Sequence, residues 1–122
     1  GSISVTGEGN STTTNLQQGL AKAWVNFDGT ASGAAARGSL NLASMLDSGT
    51  GIYVCNLTSA FANTNDCAAT SSASASTSGS DNRNISTTIT GASAIDNRTS
   101  NAASGAVVDT AVNNVSAHGG LA

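Results

Sequence analysis

The chain has 122 residues, a net charge of −3 and charged side chains at only 9% of its positions. Its four basic residues are scattered and form no stripe that could neutralise phosphates, so we expect no nucleic-acid partner. No run approaches the roughly 20 apolar residues of a membrane-spanning helix, so we expect no membrane insertion.

Large apolar residues are scarce, which predicts a thin core. Leu, Ile, Val and Phe together make up about 17% of the chain, because much of the 39% hydrophobic fraction is alanine. Disordered chains are also poor in large apolar residues, but they carry a high net charge, which is missing here. The composition therefore favours a β-structure of small side chains that is stabilised by oligomerisation.

The N-terminal residues, 1–18, are predicted to form an extended arm or linker ahead of a β-domain at 19–122. Apart from Ile3 and Val5, residues 1–15 have no apolar face. Two interpretations of residues 16–20 remain open, a helical turn that Gly19 ends or an irregular entry into the first strand.

Residues 22–30 predict the strand around which the domain is organised. Alternation places Trp24 and Asn26 on one face, with a period of two that is typical of a sheet. The opposite face carries Ala23, Val25 and Phe27. Asp28 and Gly29 then form a turn signal, because Gly tolerates positive φ and Asp can bond to its own backbone.

Two further strands are predicted at 34–46 and 52–57, joined as a hairpin by the loop at 47–51. One face of the second of these strands carries Tyr53, Cys55 and Leu57.

The rest of the chain continues as short segments of alternating pattern. Residues 67–78 alternate weakly, which is compatible with a strand or with a disordered Ser/Ala linker. A turn at 79–82 precedes a strand at 85–89, and 112–118 is the final strand. Turn signals at roughly 8–12-residue spacing predict an all-β fold, an antiparallel β-sandwich of jelly-roll-like or barrel-like form.

The two cysteines, Cys55 and Cys67, both fall in predicted strands. A cross-strand disulfide is geometrically feasible, but a pair of small buried thiols is the interpretation that we favour.

Titratable residues show no recognisable catalytic pattern. His118 has no Cys or His partner at metal-ligand spacing, and no Gly-x-Ser-x-Gly elbow is present. Asp-Asn-Arg occurs at 81–83 and 96–98, but hard cations need six to eight oxygens, so we interpret both as turn-flanking clusters. We predict no catalytic residue, metal or cofactor and no enzymatic activity. The alternative is a carbohydrate-active enzyme that uses Asp28 or Asp47.

Residues 12–30, TTTNLQQGLAKAWVNFDGT, resemble a domain found at the C-terminal end of bacteriophage tail fibre and tail structural proteins. The resemblance continues through Ser-Leu-Asn-Leu at 39–42, Asp-Ser-Gly-Thr-Gly at 47–51 and Tyr-Val-Cys-Asn-Leu at 53–57. The ending at 115–122, Val-Ser-Ala-His-Gly-Gly-Leu-Ala, is similar to the final strand of that family.

This resemblance implies a β-rich, oligomeric virion component without enzymatic activity, although residues 62–106 depart from the family pattern. It carries over no binding residues. We therefore predict a tail-fibre or tail-tip domain that forms a homotrimer, contacts other virion proteins and binds a host-surface glycan. Its location would be the virion, after synthesis in the bacterial cytoplasm. Capsid decoration, by a cement or head-fibre protein, is the alternative.

Any contact with a receptor or a neighbouring protomer would use aromatic side chains and polar loops. For Trp24, packing in the core or in an interface is favoured over receptor contact. The candidate contact residues are Trp24, Asn26, Asp28, Tyr53, Asp81 and Asn82.

Overall fold

The structure is a computed structural model that describes residues 3–6, 12–76 and 82–122. These residues form ten strands and one short helix. The elements are β1 (Ser4–Thr6), β2 (Thr13–Asn15), α1 (Leu16–Gly19), β3 (Ala21–Asp28), β4 (Ala35–Leu40), β5 (Leu42–Gly49), β6 (Ile52–Leu57), β7 (Cys67–Ser74), β8 (Arg83–Gly91), β9 (Ala94–Asn101) and β10 (Val112–Gly119).

Eight strands form two four-stranded antiparallel sheets. The first sheet has the order β4-β3-β10-β7 and the second has the order β5-β6-β9-β8. Their inner faces share one apolar core. The predicted antiparallel β-sandwich is therefore confirmed. Ahead of it, β1 pairs with β2, and α1 confirms the helical turn at 16–19.

The core is built from alternate residues of the strands, as the period of two requires. On β3, Ala23, Val25 and Phe27 are buried. Trp24 is exposed on the outer face, so the core packing that was one of its two favoured positions is wrong, and packing in an interface stays a prediction. Phe27 meets Tyr53 of β6 in an edge-to-face contact with ring centroids 5.1 Å apart. This aromatic pair joins the two sheets and anchors the core where the sequence predicted it.

The strand predicted at 34–46 is wrong as a single element, because Asn41 divides it into β4 and β5. Asn41 has φ of 59°, in the left-handed region, and the chain passes there from the first sheet to the second. Its side chain holds this corner: Oδ1 accepts from Ser59 N at 2.7 Å and Nδ2 donates to Ser59 O at 3.0 Å. The predicted hairpin is confirmed, and its two strands are β5 and β6.

Residues 67–74 form strand β7, so the linker interpretation is wrong for that segment. At this side of the sandwich the sheets are joined by hydroxyl groups: Thr87 Oγ1 of β8 donates to Ser71 Oγ of β7 at 2.5 Å. Small polar side chains thus fill the space that large apolar residues occupy around Phe27. The predicted turn at 79–82 lies mostly outside the described residues.

Both cysteines are free thiols, so the disulfide alternative is not realised. Cys55 is buried in the core, where its Sγ accepts a hydrogen bond from Asn97 Nδ2 at 3.4 Å. Burial raises the pKa of the Cys55 thiol to about 12. Cys67 is only half-buried, at the start of β7.

Candidate binding surface

The outward side chains of β3, β10 and β7 form one continuous surface, which we call the Trp24 face. It arises because the three strands pair in register, so that side chains of equal parity line up in rows across the sheet. Its first row is Trp24, Ser116 and Thr70, and its second row is Asn26, Asn114 and Ser72.

The second row is a chain of hydrogen bonds that runs in one direction. Arg37 of β4 donates through NH1 to Asn26 Oδ1 at 3.2 Å. Asn26 Nδ2 donates to Asn114 Oδ1 at 2.6 Å, and Asn114 Nδ2 donates to Ser72 Oγ at 3.4 Å. These bonds engage one N–H and one lone pair of each amide, and an Asn amide has two of each. Both amides are thus oriented and keep capacity for a ligand.

The first row combines one aromatic ring with two hydroxyl groups. Trp24 is 43% exposed, although it lies in the middle of a strand. Its ring lies beside Gly38 of β4, where an added Cβ would sit 3.5 Å from Cη2 and Cζ3 of the indole. Thr70 Oγ1 and Ser116 Oγ are 3.0 Å apart. A partly exposed indole therefore shares the first row with a hydroxyl pair.

A groove of about 290 Å³ runs between the two rows. None of the side chains that line it is charged. The lining consists of Trp24, Val25, Asn26, Thr70, Ser71, Ser72, Asn114, Val115 and Ser116.

Asp28 lies at the end of the same strand, but its carboxylate closes the turn that follows. Thr30 donates to Asp28 Oδ1 through its backbone N at 2.9 Å and through Oγ1 at 2.6 Å. Arg37 NH2 lies 3.2 Å from Asp28 Oδ2. The hydrogen bond from the Thr30 hydroxyl, with Arg37 as a weaker cause, lowers the pKa of Asp28 below its ordinary value. The charges of Asp28 and Arg37 thus neutralise each other at one end of the groove.

Tyr53 does not belong to this surface, and its assignment as a receptor contact is wrong on grounds of burial. The side chain is 0% exposed. Its hydroxyl donates towards Asp109 Oδ1 at 3.0 Å and Gly29 O at 3.3 Å, and accepts from Thr110 N at 3.3 Å. Tyr53 instead ties the loop before β10 to the turn after β3.

Asn82 does not line the groove of the Trp24 face. Asp81 lies outside the described residues. Asn82 is exposed and forms an isolated bridge with Ser74 where the chain enters β8. Of the six candidates, the structure therefore unites Trp24 and Asn26, with Asp28 at the margin.

The carboxylates named for an enzymatic alternative act as turn acceptors. Asp28 and Asp47 each accept a hydrogen bond from the backbone N two residues further on, as Asx turns do. Among residues 3–6, 12–76 and 82–122, no three His, Cys, Asp or Glu side chains are grouped to hold a metal ion. Within the same ranges, no helix is long and apolar enough to cross a membrane.

Four members of the Trp24 face were missed by the sequence analysis: Thr70, Ser72, Asn114 and Ser116. Each alternates with an inward residue of β7 or β10, which was the available signal. Single exposed Ser, Thr and Asn side chains are ordinary in such a chain, and their significance depends on which strands are neighbours. Strand order is set by long-range pairing, and no local pattern reports it.

No family model, curated protein or solved structure matches this chain. The resemblance of residues 12–60 and 107–122 to phage tail domains therefore stays a prediction.

Proposed function

We propose that this protein is a non-enzymatic attachment domain of a phage tail fibre or tail tip, and that its Trp24 face contacts a host-surface glycan. The observation that carries the proposal is the exposed Trp24 indole beside oriented amides on a rigid sheet. Aromatic side chains of this kind are typical anchors of binding surfaces. The resemblance in 12–60 supports placement in a tail appendage.

The sheet supports this role physically. Residues that bind at a surface lose less conformational entropy when strands already hold them in place. Asn26 and Asn114 are held by each other, and β3 and β10 are central strands of their sheet. The binding groups therefore need little reorganisation when a ligand arrives.

A homotrimer is part of the proposal. Several leucines remain exposed around the sandwich, and a thin core gains stability when neighbouring protomers bury such side chains. The exposed leucines are Leu16, Leu20, Leu40, Leu46 and Leu121. Sedimentation of the purified chain as a trimer is the expected result; a heat-stable compact monomer would contradict it.

Two measurements test the function. Gold-labelled antibody against this chain should mark the tail of the virion, whereas label over the head would establish the capsid-decoration alternative. Phage carrying Trp24→Ala should adsorb to host cells more slowly than wild type. Val107→Ala is the matched control, because Val107 is 59% exposed and bridges to Ser100 on the other sheet. Equal adsorption by both variants would reject the Trp24 face as the contact.

A further inference from the structure

We propose that the ligand of the Trp24 face is a neutral glycan that lies across the strands, an inference that rests on the proposed attachment function. One sugar ring would stack on Trp24, and hydroxyl groups along the chain would bond to the row formed by Asn26, Asn114 and Ser72. The neutral lining, the amide row and the indole of the groove favour this ligand class over anionic glycans.

The lack of charged side chains in the groove lining favours an uncharged ligand. All the lining side chains are neutral. Arg37 and Asp28 pair at 3.2 Å at one end of the groove, where Arg37 also donates to Ala111 O at 2.8 Å. Lys22 lies two positions before Trp24 on β3, beyond the first row and outside the groove lining. A uronate or sialate carboxylate bound between the rows would lose hydration and meet no charged side chain in the lining, which is costly. Neutral hydroxyl groups have no such penalty.

The amide row matches the hydrogen bonding of sugars. A hydroxyl group donates one hydrogen bond and accepts others, so it suits a surface that offers N–H groups and lone pairs side by side. Asn26 and Asn114 each retain one N–H and one lone pair, and their mutual bond at 2.6 Å fixes their direction. Ser72 extends the row on β7. Adjacent hydroxyls of one sugar can therefore engage adjacent amides.

The indole supplies the apolar half of the site. The negative π face of an aromatic ring attracts weakly positive C–H groups, which cover one side of many pyranose rings. Trp24 is 43% exposed at the edge of the polar rows, so its ring is accessible to such a stacking contact. A sugar ring stacked here would place the following residues over β10 and β7.

The length of the rows indicates an oligosaccharide and not a single sugar. Neighbouring strands lie about 4.8 Å apart, so each row spans about 10 Å from β3 to β7. Both rows run perpendicular to the strands, and the groove lies between them. The glycan chain would follow that direction.

Trp24 is the only tryptophan of the chain, so intrinsic fluorescence reports on the site directly. The purified full chain should be titrated with neutral oligosaccharides, such as hexose and N-acetylhexosamine oligomers, and with uronate- and sialate-containing ones. Neutral oligomers should shift the emission, with the same affinity at low and high salt because no ionic contact is screened. Binding restricted to anionic glycans, or a strong salt dependence, would overturn the proposal.

Variants make the test specific, with binding measured by affinity electrophoresis in gels that contain the neutral glycan. Trp24→Ala should weaken binding about tenfold or more, and Trp24→Tyr should retain much of it, since an aromatic face remains. Asn114→Ala should weaken binding severalfold, whereas Val107→Ala should bind as wild type. Circular dichroism confirms folding of each variant. Unchanged binding by folded Trp24→Ala would overturn the proposal.

The outcomes separate this inference from the proposed function. If Trp24→Ala phage fail to adsorb but no neutral glycan binds the chain, attachment stands and the neutral-glycan inference falls. If Trp24→Ala changes the oligomeric state in sedimentation, the face is an interface between copies of this chain, and the inference also falls. Antibody label over the head would reject the tail function independently of any glycan binding.

Discussion

The hydroxyl of Tyr53 and the carboxylate of Asp109 lie 3.0 Å apart and join two distant parts of the chain. The same Asp109 oxygen accepts from Gly51 N at 2.8 Å. Asp109 thus ties the β5–β6 hairpin and the loop before β10 together. Burial, and then the neighbouring Asp109, raises the pKa of Tyr53 to about 12.

Tyr53→Phe should destabilise the fold by about 1–3 kcal/mol at neutral pH, because Asp109 and Thr110 N each lose a partner. The effect should also depend on pH. A raised pKa in the folded state favours the neutral phenol, so its contribution is complete below pH 10 and is lost as the pH rises towards 12.

Urea unfolding at several pH values checks this prediction. The difference in unfolding free energy between wild type and Tyr53→Phe should be constant from pH 7 to 10 and should shrink above pH 10. Taking the difference removes the contribution of Cys55, which is present in both proteins. A difference that stays constant up to pH 12 would contradict the assignment.

Gly29→Ala should prevent stable folding, or cost more than about 3 kcal/mol, because an added Cβ would overlap the Tyr53 hydroxyl and lie 2.7 Å from Thr110 O. Gly19→Ala is the matched control, since nothing lies within 4 Å of its added Cβ. We expect that variant to change stability by less than about 0.5 kcal/mol. Thermal denaturation of both variants provides the measurement, and similar melting temperatures would show that the Gly29 contact is not restrictive.

Asn41→Ala should destabilise the corner between the sheets by about 1–3 kcal/mol. The variant loses both side-chain hydrogen bonds to Ser59. Alanine is also disfavoured at φ of 59°, and it has no side-chain hydrogen bond to offset that strain. Asn41→Gly removes the same bonds but tolerates the backbone conformation, so it should be less destabilising than Asn41→Ala. Chemical denaturation of the two variants gives the comparison, and the reverse order would refute this account of the corner.

The two thiols should differ in reactivity. Cys55 is buried and its pKa is raised to about 12, so it should not react with a thiol reagent in the folded protein at pH 8. Half-buried Cys67 should react, but slowly, because burial and the neighbouring Asp66 raise the pKa of its thiol. The expected count is one thiol in native buffer and two in denaturant.

Cys67→Ser supplies the control for this experiment. It should show no reactive thiol in native buffer and one in denaturant. Rapid reaction of this variant in native buffer would mean that Cys55 is accessible, contrary to its position in the core.

The sequence by itself determined which segments alternate and which of their residues share a face. The division of β3 and β6 into two faces follows from a period of two, which is a local property that needs no knowledge of neighbours. It also located the turn at Asp28 and the hairpin at 47–51, because Asp and Gly encode turns locally. The free or bridged state of Cys55 and Cys67 stayed open at that level.

Only the tertiary structure decided where those strands lie relative to one another. Asn41 interrupts an apparently continuous strand through a bond to Ser59, 18 positions away, which no local pattern signals. Tyr53 is predicted as an interface or receptor contact, yet it is buried, and its hydroxyl bonds to Asp109, 56 positions away. The Trp24 face likewise exists because β10 lies between β3 and β7. Pairing between distant segments is a property of the whole chain, so side chains that look ordinary one by one become a site only when the sheet assembles them.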